Sequence, residues 1–189
     1  VLADFGADVI KVEKPGAGDD TRTWGPPFLT DADGNPTSES AYYLCANRGK
    51  RSVAIDMATV EGQRLLRELV VHCDVLVENY KVGGLKKYGL DWDSLKQINP
   101  KLVYCSITGY GQDGPYAPRA GYDAAIQAIG GLMSVTGEAD GQPGGGPQKV
   151  GVAATDLLTG MYAVAGILAA LRHAERTGEG QQIDLALLD

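Results

Sequence analysis

The sequence predicts an α/β fold, an open parallel sheet with helices on both faces. Three observations predict it. Short apolar runs rich in β-branched residues recur at 9–13 (VIKVE), 52–56 (SVAID), 74–78 (DVLVE) and 102–107 (LVYCSI). Stretches of helical periodicity lie between and after them, and strands alternating with helices imply right-handed crossovers within a covered parallel sheet. The chain has 189 residues, 44% apolar and 22% charged, an ordinary globular composition with enough length to bury a substantial core as one domain or one large lobe, 1–189.

Each element follows from its local pattern. The first run leads into Lys14-Pro15-Gly16-Ala17-Gly18, a cation and a flexible turn, and Asn47-Arg48-Gly49-Lys50-Arg51 leads into the second. Residues 59–72 (TVEGQRLLRELVVH) place Leu65, Leu66, Leu69 and Val70 on one helical face, with Arg64, Arg67 and Glu68 off it. The third run is followed by Asn79, Tyr80 and Lys81, then Gly83-Gly84 and Lys86-Lys87; residues 91–98 form a short helix closed by Asn99-Pro100. After the fourth run, 108–119 (TGYGQDGPYAPR) is loop. Residues 121–135 read as a helix whose small apolar face is Ala124, Ala125, Ala128, Ile129 and Leu132; 137–151 is a second, glycine-rich loop. Residues 157–175 form an apolar helix stopped at Thr177-Gly178, and 182–188 is an apolar strand or the approach to another helix. The chain starts at Val1 in a helical stretch and stops at Asp189 in an apolar one, so it reads as a piece of a longer protein.

Composition excludes several functions. Lys and Arg number 17 against 24 Asp and Glu, a net charge of −7, whereas a general nucleic-acid binder needs a basic face to displace counterions from phosphates. Cys45, Cys73 and Cys105 lack metal or CxxC spacing and read as small core residues; His72 and His173 are far apart. No metal site and no disulfide framework is expected, and a reducing compartment is the natural home: the cytoplasm, or the mitochondrial matrix in a eukaryote. The longest uncharged run, 157–171, has 15 residues including two glycines. It is short for a membrane span and reads as a buried helix, so no membrane partner is expected. No signal-peptide pattern is present.

In open parallel sheets, ligands bind beyond the carboxyl ends of the strands. The cations repeated near strand ends have two readings: loop residues that are simply wet, or contacts for a ligand carrying a diphosphate, another phosphate and an aromatic base able to stack near Tyr80 or Tyr88. Neither GxGxxG nor a P-loop follows a strand, no GxSxG elbow occurs, and Gly144–Gly146 lacks the strand–helix setting of a phosphate cradle. Asp156 stands out. It follows the uncharged run 150–155 and opens the apolar helix. There it serves either as an N-cap, or as a carboxylate kept ionised by the helix dipole and poorly hydrated by apolar neighbours, able to attack an acyl carbon.

Several segments together resemble one family. Residues 2–16 (LADFGADVIKVEKPG), 47–52 (NRGKRS), 74–80 (DVLVENY), 109–116 (GYGQDGPY), 155–160 (TDLLTG) and 177–184 (TGEGQQID) are similar, in order, to the class III coenzyme A transferases. That group includes formyl-CoA transferase, carnitine CoA-transferase and the α-methylacyl-CoA racemases. The resemblance implies that the chain is the incomplete large Rossmann-like domain, lacking the first strand, the small domain and the glycine-rich catalytic loop; Gly144–Gly146 is not that loop. It implies Asp156 as the catalytic aspartate. It implies CoA contacts at Lys14 (where formyl-CoA transferase has an Arg), Ile55 near the adenine, Asn79, Tyr80, Lys81, Lys87, Tyr88, Ala120, Gly121, Tyr122 and Asp123. Trp24 and Tyr42 match aromatic positions lining the transferase active site. The partners implied are an acyl-CoA, a carboxylic acid and a second copy in an interlocked homodimer, with no permanently bound cofactor. The fragment alone is expected to bind CoA weakly and not to turn over.

The rival within the family is an α-methylacyl-CoA racemase, which places a His before the Asp at 122–123. Tyrosine, a phenol that ordinarily titrates near 10, is at position 122 a poor replacement for that acid/base. Segment 155–160 is also closer to dicarboxylate-type transferases of the succinyl-CoA:glutarate kind. From another class, a non-catalytic CoA-binding module would keep the cationic loops and have no use for Asp156.

Overall fold

The computed structural model describes all residues, 1–189. The chain forms two compact units, Val1–Leu66 and Arg67–Asp189, and its parallel strands pair within each unit.

In the first unit, β1 (Val9–Glu13) pairs in parallel with β4 (Lys50–Ala54), Glu13 opposite Ala54. Between them lie an antiparallel hairpin, β2 (Phe28–Thr30) and β3 (Pro36–Ser40), and helix α1 (Ala41–Asn47). Sequence periodicity had not indicated this hairpin, because β2 is three residues long and β3 carries little apolar character. Its turn was signalled by Asp33-Gly34: the Asp31 carboxylate accepts the Asp33 and Asn35 N–H groups, each at 2.9 Å, and Gly34 takes φ +83°. Ser40 ends the hairpin and caps α1, its hydroxyl accepting the Tyr43 N–H at 3.0 Å.

Helix α2 (Val60–Val70) starts where the Thr59 hydroxyl accepts the Gly62 N–H at 3.0 Å. Leu66 and Val70 are its buried apolar side chains, whereas Leu65 is exposed and Leu69 half-buried.

In the second unit, β5 (Val75–Glu78), β6 (Val103–Thr108) and β7 (Gln182–Ala186) form a parallel sheet in the order β5-β6-β7. The central strand is buried almost throughout, from Val103 to Ser106 and again at Thr108, which is why its sequence is a continuous apolar run rather than an alternation. Between β5 and β6 lies the short helix α3 (Trp92–Leu95), whose Leu95 is fully buried. Asn99 closes this crossover by donating to the carbonyls of Val70 (3.0 Å) and Cys73 (2.8 Å).

The long helix α5 (Ala154–Thr177) buries Thr159, Ala163, Ile167, Ala170 and Ala174, one stripe at helical spacing, and packs on β6 and β7. At 24 residues it is long and apolar enough to cross a membrane by length and composition, exceeding the 15-residue run read from the sequence. Gly178, at φ +79°, ends it with a bond from its N–H to the Ala174 carbonyl.

The expected helix over 121–135 is two pieces: α4 (Asp123–Ile129) and a 3-10 turn at Leu132–Val135, separated by Gly130-Gly131 with Gly131 at φ +82°. Its buried face also differs from the one expected. Ala124, Ala125, Ala128 and Ile129 are exposed, and Ile126 and Gln127 are buried. A seven-residue helix is placed by a few contacts rather than by a long apolar stripe; here Asp123 bonds Thr155 at the start of α5, and Gln127 bonds Val150 and Val152 in the segment leading into it. Cys105 is buried as expected and Cys73 half-buried, but Cys45 is exposed on α1.

After β6, the chain folds back so that Gly109 and Gly121 meet backbone to backbone. A Cβ on Gly109 would stand 2.4 Å from the Gly121 Cα, and one on Gly121 would stand 2.3 Å from the Gly109 Cα. This close approach fixes segment 120–123 at the carboxyl end of β6. Alanine at either position should therefore lower stability in the full-length protein by about 1–3 kcal/mol, the cost of overpacking where backbone must move; thermal unfolding measures it, with alanine at the uncrowded Gly160 of α5 as comparison.

Candidate active site

The carboxyl ends of β5 and β6 gather most of the residues singled out in the second unit. Asn79, Tyr80 and Lys81 follow β5 directly, and the Asn79 amide donates to the Ile107 carbonyl at 2.6 Å, tying the loop to the neighbouring strand. Tyr80 is exposed; partial burial, then the charges of Glu78 and Tyr88, push its phenol up. Lys87 lies 4.7 Å from the Tyr88 ring centre, and the Tyr88 carbonyl accepts from Arg67 at 3.0 Å. A shallow cleft beside this loop is lined by Glu78, Lys81, Tyr104, Ser106 and Gln182. Glu78, which the sequence gave no reason to single out, is raised by burial even though the Tyr80 N–H at 2.7 Å and Ser106 oppose the shift.

The Gly109–Gly121 contact brings Ala120, Gly121, Tyr122 and Asp123 to the same end of the sheet. Tyr122 is 76% exposed, whereas the Asp123 side chain is committed. Its Oδ1 accepts the Thr155 N–H at 2.9 Å, the Thr155 hydroxyl at 2.7 Å and the Asp156 N–H at 3.4 Å; its Oδ2 accepts the Gln127 amide at 2.6 Å. Burial works to raise the Asp123 pKa, and these hydrogen bonds outweigh it, so the group is held below the usual range. Residue 153, the N-cap of α5, is alanine and supplies no capping side chain. Asp123 supplies that cap from another helix.

Asp156 is the third residue of α5, so it does not itself cap the helix. The structure also corrects the expected effect of its surroundings. The helix start was expected to favour its ionised form; instead its pKa is raised, first by partial desolvation and then by the charge of Asp123. The positive helix end is already satisfied by Asp123, leaving Asp156 beside a like charge. Its side chain is exposed at the surface and yet partly desolvated. The result is an accessible carboxylate on a fixed backbone, more basic than an ordinary aspartate.

In the first unit, Lys14 and Ile55 are the next residues after the register pair Glu13–Ala54, so they stand side by side at the carboxyl ends of β1 and β4. Lys14 is exposed and Ile55 half-buried. Trp24 and Tyr42 meet with ring centres 5.2 Å apart, both about half exposed. Cations around β4 are less available than the sequence suggests: Arg48 pairs with Asp4, Arg51 with Asp8, and Lys50 donates to Asn47. Among the described residues, no cluster of His, Cys, Asp and Glu could hold a metal ion.

Buried Glu13 organises this end. Its carboxylate accepts from Arg22 Nε and Nη2 (both 3.0 Å), Ser52 (2.7 Å), Tyr43 (3.1 Å) and the Asp19 N–H (2.9 Å). Arg22 is the chief cause that holds its pKa down at about 2, against the opposing effect of burial.

The family model described as CoA-transferase family III matches residues 1–189. The chain belongs to that family. It is 60% identical over 189 residues to a succinate–glutarate CoA-transferase of Agrobacterium fabrum, covering 100% of this chain and 46% of that protein. It is 50% identical over 187 residues to human succinyl-CoA:glutarate CoA-transferase, covering 99% of this chain and 40% of that one. A solved structure of a CAIB/BAIF family protein from Brucella suis superposes with a TM-score of 0.91 at 57% identity, covering 100% of this chain and 48% of that one. The chain thus spans less than half the length of these relatives.

The Glu13 cluster makes a prediction with a definite sign. Because its folded pKa lies below the ordinary 4.5, its contribution is fully present above that value and is lost as pH falls from about 4.5 towards 2. In the full-length protein, Glu13→Gln should cost on the order of 3 kcal/mol at neutral pH and flatten the acid dependence of urea unfolding across that window.

Proposed function

We propose that the protein containing this chain is an enzyme that transfers coenzyme A between carboxylic acids, with Asp156 carrying the acyl and CoA groups in turn. The observation that carries this reading is the Asp156 carboxylate, accessible and more basic than usual, on a helix start whose amides another residue has already satisfied. Family membership supplies the class of chemistry.

An Asp156 oxygen attacks the carbonyl carbon of the donor thioester; the C–S bond breaks, leaving a mixed anhydride and CoA thiolate. The thiolate then attacks the Asp156 carbonyl carbon, forming an aspartyl-CoA thioester and releasing the donor acid with the bridging oxygen. The acceptor carboxylate attacks that thioester, giving a second anhydride and thiolate. Attack of the thiolate on the acceptor carbonyl forms the new acyl-CoA and restores Asp156. Every step exchanges one oxygen or sulfur nucleophile for another, so no electron carrier enters the balance. Lys14, Ile55, Asn79, Tyr80, Lys81, Lys87, Tyr88 and residues 120–123 are the contacts proposed for CoA, with Trp24 and Tyr42 beside the acyl group.

The relatives named for succinate and glutarate favour dicarboxylic acids as the substrates. The transferase reading is preferred to the racemase because residue 122 is a tyrosine and not a histidine. We also propose self-association as an interlocked dimer; the exposed Leu157, Leu158, Met161, Tyr162 and Leu168 of α5 support a partner across that face.

The test is to incubate the full-length protein with succinyl-, glutaryl-, formyl-, oxalyl- and 2-methylacyl-CoA, quench with hydroxylamine and map adducts by peptide mass spectrometry. A hydroxamate at Asp156 with a dicarboxylyl-CoA is expected. Exchange of the α-proton into deuterated water without any adduct would instead identify a racemase, and CoA binding with neither signal a binding module.

A further inference from the structure

The contacts at the start of α5 converge on a residue with no assigned role. Gln127 is fully buried, one helical turn after Asp123 on α4. Its amide nitrogen donates to Asp123 Oδ2 at 2.6 Å and to the Val152 carbonyl at 3.2 Å, and its Oε1 accepts the Val150 N–H at 2.9 Å. Both N–H donors and one acceptor lone pair are therefore used. One side chain fixes two things at once: the orientation of the Asp123 carboxylate, and the backbone segment that enters α5. Asp123 in turn holds the Thr155 hydroxyl and the amides of Thr155 and Asp156.

We infer that Gln127 is a positioning residue for Asp156, acting through Asp123 and Thr155 to set where the reacting carboxylate stands. The inference rests on the reading of Asp156 as the group that takes up the acyl chain. Gln127 makes no hydrogen bond to Asp156 and meets the residues proposed for CoA only at Asp123, whose two carboxylate oxygens are already taken by protein donors, so its effect falls on the reacting geometry rather than on CoA affinity. A glutamine serves here where a carboxylate would not, because Asp123 offers only acceptors and must face a donor. The charged groups around position 127 are Asp123 on α4, Asp156 on α5 and, on the entering segment, Lys149, whose ammonium donates to the Val150 carbonyl.

The experiment uses the full-length enzyme and compares Gln127→Glu, Thr155→Val and Asp156→Ala with wild type, measuring kcat and KM for the acyl-CoA against pH, with melting temperatures alongside. Gln127→Glu replaces the donor by an acceptor of the same shape. Above neutrality, kcat should fall by about a hundred-fold, the scale of an ångström-sized misplacement, with KM changed by less than about three-fold. In mild acid, kcat should partly recover as the introduced carboxyl takes up a proton and donates it towards Asp123. Thr155→Val keeps every backbone bond and should lower kcat by about ten-fold, with KM unchanged. A lower melting temperature with wild-type kcat and an unchanged pH profile in Gln127→Glu would overturn the inference. Should that variant not fold, wild-type kcat in Thr155→Val would overturn it. Full turnover in Asp156→Ala would instead overturn the transferase mechanism, so the two failures are distinguishable.

Discussion

The Asp123 carboxylate accepting the Thr155 amide and hydroxyl and the Asp156 amide is the contact on which the rest of the site depends. A helix as long as α5 leaves unsatisfied N–H groups at its start, and its own N-cap, Ala153, supplies no side chain to meet them. A residue from α4 meets them instead. The consequence is electrostatic as well as geometric. Had Asp156 been the cap, its carboxylate would have been bonded to backbone amides and held at low basicity. With Asp123 in that role, Asp156 is left free of the cap, its basicity raised by partial desolvation and then by the like charge beside it. The two aspartates thus divide the work of one helix end, one structural and one reactive.

The strands make this arrangement available. Parallel strands deliver their following loops to one edge, and in the second unit Asn79, segment 120–123 and the start of α5 come to that edge through the Asn79–Ile107 bond, the Gly109–Gly121 contact and Asp123. The first unit repeats the principle on a smaller scale. Glu13, the last residue of β1, draws Arg22, Tyr43, Ser52 and the Asp19 amide to one carboxylate, and this fixes the turn that carries Lys14.

Much of the fold was legible because its elements are periodic or continuous in hydrophobicity. The β6 run, the Leu66–Val70 face of α2 and the Gly178 stop of α5 follow from local rules that tertiary contacts do not override. The hairpin of β2 and β3 escapes the pattern because β2 has only three residues and β3 is polar, although Asp33-Gly34 signals its turn. The face of α4 departs from its hydrophobicity pattern because a seven-residue helix satisfies too few periods for its apolar positions to decide orientation, and a buried glutamine is invisible to such a pattern. At the site, the place of Asp156 could be read from the apolar run before it. The direction of its pKa could not, because that rests on partial desolvation in the folded chain and then on the charge of Asp123, 33 residues earlier, brought there by the meeting of two glycines.

The most direct test of the account follows oxygen. With the full-length enzyme and an acceptor dicarboxylate whose carboxyl groups carry heavy oxygen, each turnover through an Asp156 anhydride leaves one acceptor oxygen in the Asp156 carboxylate. Mass spectrometry of the peptide containing Asp156 should find one heavy oxygen after a single turnover, and none when donor or acceptor is omitted. Complete transfer of CoA to the acceptor with no label in that peptide would contradict the account.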